Sequence, residues 1–123
     1  METKMNTGQI EHIQHELETW LRTLDYIQQE NIHLKTRLAG IIKHEVDNDL
    51  LEKVEYFQNQ FLNKDAVITL LRHDIASIKD IDIASFNKKV LVKHEKLRKD
   101  MELMEKEFSR LKFDFNNYLS QVL

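Results

Sequence analysis

Six histidines, one of them spaced for pairing with a glutamate, are the residues here most able to do chemistry. Glu30-x-x-His33 is half of the motif with which helical bundles hold a pair of metal ions, and it works only if both side chains aim into the bundle. The heptad phase puts Glu30 at g and His33 at c, both pointing outward. His12, His15 and His73 fall at the surface positions c, f and f, where pairs could bind stray zinc but nothing supplies a closed shell. The chain has no cysteine. That excludes a thiolate zinc site, an iron–sulfur cluster, a disulfide framework and a cysteine nucleophile. No second Glu-x-x-His and no glycine-rich phosphate loop occur, and the few serines and threonines lack a convergent base at helical spacing. The expectation is a protein that is not an enzyme and carries no cofactor or metal. Its alternative is a helical bundle that senses a metal or small ligand through surface histidines.

The second chemical feature is cationic. Lys88, Lys89, Lys93, Lys96, Arg98 and Lys99 lie in one run that contains a single acid, Glu95. Such a run can dock an acidic partner, a phosphate or an anionic membrane. It is also what a solvated helix face looks like when Asp100, Glu102, Glu105 and Glu107 follow one or two turns later. The run holds no aromatic residue for stacking bases, and the whole chain has a net charge of −3. No nucleic-acid partner is expected.

Only helices can position these residues. The 123-residue chain has no proline and two glycines, Gly8 and Gly40, where average usage would supply about six and about nine. So few turn formers cannot build the many reversals of a sandwich or barrel. The amino terminus lacks the basic stretch and apolar core of a secretory signal. No run approaches the ~18 apolar residues of a membrane span. A cytoplasmic protein with no membrane span is expected.

Apolar spacing then places three helices, about 8–46, 49–79 and 85–121, in one domain covering 1–123. The first seam is Ile10, Ile13, Leu17, Trp20, Leu24, Ile27, Asn31, Leu34, Leu38 and Ile41, stepping by three and four with Ile10 at heptad position a. Asn6 and Gln9 form a capping box before it. Gly40 costs some stability without ending the helix. A reversal at Val46–Asp49, with Asp49 as cap, leads to Leu50, Val54, Phe57, Phe61, Lys64, Ile68, Leu71, Ile75 and Ile78. A second reversal, capped by Asp82 or Ser85, leads to Asn87, Val90, His94, Leu97, Met101, Met104, Phe108, Leu111, Phe115, Tyr118 and Val122.

Short reversals make neighbours antiparallel. Partners on the first two helices have residue numbers adding to 95: Trp20 with Ile75, Leu34 with Phe61, Ile41 with Val54. The two polar seam members, Asn31 and Lys64, also add to 95 and form a polar layer. Asn31 can fix register, in which case Asn31→Leu would stabilise. Lys64 can lay its stem along the seam and send its ammonium outward. For the second and third helices the expected sum is 165, which sets His94 level with Leu24 and Leu71, a pH-sensitive place in the core. Leu21, Ile42 and Leu51 at e, with Ile32 and Leu62 at b, predict that the third helix docks on the e side of the hairpin. The g row, Glu16, Glu30 and Arg37 among it, is polar and assigned to solvent.

The seams resemble the broad class of spectrin-like or coiled-coil three-helix bundles, which implies an elongated all-α antiparallel bundle and many binding roles. The functional expectation is an interaction or scaffolding module with a protein partner, a homodimer by preference because two-fold dimers are the commonest oligomers. Tyr26, Tyr56, Val92, Leu103 and Phe113 are apolar where the monomer expects water, and are the candidate interface, with Phe113 as anchor.

Overall fold

The computed structural model describes residues 5–42 and 48–123. It is an all-α three-helix bundle: α1 Thr7–Ile42, α2 Asn48–Lys79 and α3 Lys88–Val122, with one 3₁₀ turn at Ile83–Ser85 before α3. The Asn6–Gln9 box opens α1. Gln9 N–H donates to Asn6 Oδ1 at 2.8 Å, and Asn6 N–H donates to Gln9 Oε1 at 3.1 Å. The helix runs through Gly40, beside which there is open space. The end of the first helical stretch at 43–46 and the reversal at Val46 and Asp47 lie outside the described residues, as do the side chains of Ile42 and Asp49.

The second reversal differs in detail from the expectation. Asp82 caps the 3₁₀ turn, accepting from the Ala84 N–H. Asn87 caps α3, accepting from the Lys89 N–H at 2.9 Å. Asn87 is therefore a cap and not a core seam member, and Ser85 caps nothing. Between them Phe86, 2% exposed, joins the core. At the far end Val122 is exposed, and Leu119 is buried in its stead.

Every other seam position is buried or half-buried, Asn31, Lys64 and His94 included. The hairpin register is the expected one. Asn31 Nδ2 donates to the Phe61 carbonyl at 3.0 Å and to Asp65 Oδ1 at 2.8 Å, and Arg72 meets Asp25.

The register of α3 is not. Phe115 packs edge-to-face on Phe57, ring centroids 5.1 Å apart, and Lys64 pairs with Glu107 at 3.0 Å. Partner numbers therefore add to about 172, one heptad beyond 165. A seam that repeats every seven residues fits either value equally well. The 3₁₀ turn and buried Phe86 move the centre of the reversal toward residue 86. His94 accordingly lies level with Glu16 and Trp20, not with Leu24 and Leu71.

The docking side is also corrected. On α1 the g residues face α3: Arg98 pairs with Glu16 at 2.6 Å, Lys112 with Glu30 at 2.8 Å, and Arg37 donates to Asn116 at 3.4 Å. The polar g row is an interhelical pairing row, the role that e and g charges have in coiled coils. Docking there leaves the e side of the α1–α2 hairpin uncovered.

Candidate functional site

Three groups of residues stand out: a buried polar layer, a buried histidine, and two uncovered faces.

The polar layer sits at mid-height. Asn31 is fully buried, and its amide nitrogen spends both hydrogens on α2, while its Oδ1 has no hydrogen-bond partner among the described residues. Asp65, at an e position, also takes Lys35 Nζ at 2.6 Å. Lys64 is 4% exposed, and its ammonium reaches Glu107 on α3. Asn31 thus joins α1 to α2, and Lys64 joins α2 to α3. Hydropathy spacing finds Asn31 and Lys64 but not Asp65. The signal for Asp65 is positional: an acid at e can reach the facing a residue of an antiparallel neighbour.

His94 is buried near the other end, its ring stacked on Trp20 with centroids 5.0 Å apart. Glu16 Oε1 gathers the charges around it. It lies 2.8 Å from His12 Nε2, 2.6 Å from Arg98 Nη2 and 3.3 Å from His94 Nε2, the last without hydrogen-bond alignment. Burial alone would raise the Glu16 carboxyl. The hydrogen bond and charge of Arg98, with His94 and His12, outweigh it and hold that carboxyl below its ordinary value. For His94, burial dominates and lowers its pKa against the opposing charge of Glu16, and Arg98 and His12 lower it further.

The sign for stability follows. The unfolded imidazole titrates near its usual value of about 6.5 and takes up a proton before the folded one does. Stability from neutral, buried His94 is therefore complete above about pH 6.5 and falls as the pH drops below it. His94→Leu is expected to flatten the urea-unfolding stability profile between about pH 7 and 5. An undiminished slope in the variant would locate the titrating group elsewhere.

Among the described residues the remaining histidines do not converge. Glu30 pairs with Lys112, while His33, His15 and His73 stand exposed. Among the described residues no three His, Asp or Glu side chains come together to hold a metal ion, and none of the described helices is long and apolar enough to cross a membrane. The groove between α2 and α3, about 690 Å³, is lined by Tyr56, Asn59, Lys64, Leu103, Glu107 and Arg110 among others. Within this lining Lys64 and Glu107 are paired with each other.

The basic run divides. Arg98 turns inward to Glu16, and Lys96 pairs with Asp100 at 3.0 Å. Lys88, Lys89, Lys93 and Lys99 are exposed. The five candidate interface residues are 51–64% exposed but do not form one patch. Tyr56 and Leu103 share the α2–α3 groove, Val92, Leu103 and Phe113 lie along the outside of α3, and Tyr26 is on α1 one turn before Glu30. Spacing missed a further exposed leucine, Leu70, which with Leu103 lines a smaller groove.

On the opposite side lies the uncovered hairpin face. Ile32 and Leu62, 43% and 51% exposed, stand at the same height, with Leu51 nearer the turn and half-buried Leu21 further along. A groove of about 330 Å³ runs there between Ile32, Lys35, Asp65, Ile68 and Arg72. No protein-family model, curated protein or solved structure matches this chain.

Proposed function

We propose that this chain is a non-enzymatic helical protein–protein interaction module that self-associates through the open side of the α1–α2 hairpin. The observation that supports it is the uncovered apolar row Leu21, Ile32, Leu51 and Leu62, on the side that α3 leaves empty. Of the charges flanking the row, Lys35 is paired with Asp65 and Arg72 with Asp25, while Glu18 and Glu55 stand exposed at its edge. A second copy related by a two-fold axis then meets these closed pairs and the apolar side chains. Phe113 is the weaker anchor. Its neighbours along the outside of α3 are Lys106 and Arg110, so a two-fold contact there sets cation against cation.

Light scattering at micromolar concentration is expected to give twice the 14.8 kDa chain mass. Ile32→Glu with Leu62→Glu should return one chain mass, and Phe113→Asp should leave the dimer intact. A monomer at all concentrations contradicts self-association. Dissociation by Phe113→Asp alone would move the interface to α3.

A further inference from the structure

The outer face of α3 has a composition that neither the core nor the hairpin requires. Along its f row, the line furthest from α1 and α2, and the c row that borders the α2 groove, stand Lys89, Val92, Lys96, Lys99, Leu103, Lys106, Arg110, Phe113 and Asn117, all exposed. Five are cations, three are apolar and none is acidic, although α3 carries six acids. Those acids lie to the sides. Asp100, Glu107 and Asp114 are on the α2 flank, where Glu107 holds Lys64. Glu95, tied to Arg98, and Glu102 stand at b, and Glu105 at e, on the α1 side. Lys99 and Lys106 form no ion pair among the described residues. From Lys89 to Phe113 the row is about 36 Å long and straight, at 1.5 Å per residue.

We infer that this face binds an anionic lipid surface, the cations lying among headgroup phosphates and carboxylates while Val92, Leu103 and Phe113 enter the headgroup layer. Charge selects an anionic occupant, which excludes a second copy of the same face. The placement of the cations selects a bilayer over an acidic helix. Lys99 and Lys106 occupy the line of closest approach, where a packed helix would strip them of water, with Lys96 and Arg110 beside them paired to Asp100 and Asp114. In a headgroup layer they stay hydrated and paired, and their stems lie along the apolar residues. Three apolar side chains in the same line, with no stacking row, fit a nucleic acid poorly. The face lies opposite the uncovered hairpin side, so lipid binding and self-association are independent.

The test is co-sedimentation of the full chain with phosphatidylcholine vesicles containing about a third phosphatidylserine, a composition that carries the anionic surface potential in question. The protein should pellet with them in low salt and stay in solution with pure phosphatidylcholine. It should be released at about 0.5 M salt, where the screening length shrinks to about 4 Å. Lys99→Glu with Lys106→Glu should weaken partition at least tenfold, with an unchanged circular-dichroism melt. Phe113→Ser should weaken it several-fold, and Phe113→Trp should shift its emission to the blue only on the phosphatidylserine vesicles. Failure of the folded protein to pellet, equal partition to both vesicles, or indifference to the double charge reversal overturns the inference. Binding of a synthetic acidic amphipathic helix or of duplex DNA in place of vesicles would overturn it equally.

Discussion

Asn31→Asp is expected to destabilise the bundle by about 3 kcal/mol at neutral pH, near the lower end of what an uncompensated buried charge costs. The substitution changes almost no volume. It replaces an amide nitrogen that donates to the Phe61 carbonyl and the Asp65 carboxylate with an oxygen facing two acceptors. The site is fully buried, so water cannot intervene. Lys35 already belongs to Asp65, and Lys64 to Glu107. Asn31→Leu loses the same two bonds but adds no charge and relieves the unpaired Oδ1. Its expected loss is smaller, about 1 kcal/mol. Urea unfolding at neutral and acidic pH separates the cases. The Asp variant should recover part of its loss as the new carboxyl takes up a proton, and the Leu variant should not. A stabilised Asn31→Leu protein would make Asn31 a register device alone.

Phe115→Ala is expected to cost about 4 kcal/mol, the usual range for removing a fully buried phenyl ring. Phe115 is 0% exposed and meets Phe57 and Phe61 edge-to-face, both with centroids 5.1 Å apart. The cluster joins α2 to α3, so the void would open between helices with few other aromatic contacts to fill it. The same substitution two residues earlier, Phe113→Ala, removes a ring that is 63% exposed and should change stability by no more than about 0.5 kcal/mol. Thermal melts of the pair give the comparison, with a fall of roughly 15 °C against almost none. Equal effects would mean that α3 is rotated about its axis from the orientation described.

What could be read from the sequence was whatever depends on local periodicity. The 3-4 steps of Ile10 through Ile41 and of Leu50 through Ile78 name the buried faces because each helix must hide one stripe. The Asn6–Gln9 box is a four-residue signal that needs no tertiary context. The hairpin register followed because Asn31 and Lys64 break the repeat, so only one alignment puts them level. On α3 the polar seam member, His94, has no polar counterpart at the height that was expected, and a shift of seven residues left the apolar match intact. The docking side turned on Glu16, Glu30 and Arg37. Their polarity suits water and cross-helix pairing alike, and only the partners Arg98, Lys112 and Asn116 distinguish the two. Phe86 escaped because a 3₁₀ turn separates it from any helical period. The exposed faces were legible residue by residue. Their grouping into a cationic outer row and a neutral hairpin row depends on where α3 lies.

The position of α3 therefore underlies both proposed binding faces, and a cysteine-free chain makes it simple to test. Glu30 and Lys112 are in contact across the α1–α3 seam at 2.8 Å, whereas Lys35 faces Asp65 on the other side of the hairpin. A short bis-maleimide applied to the Glu30→Cys, Lys112→Cys protein should join the two sites within one chain. Applied to the Lys35→Cys, Lys112→Cys protein it should not. Efficient joining of Lys35→Cys to Lys112→Cys, with none at Glu30→Cys, would put α3 on the e side and cover the face assigned to self-association.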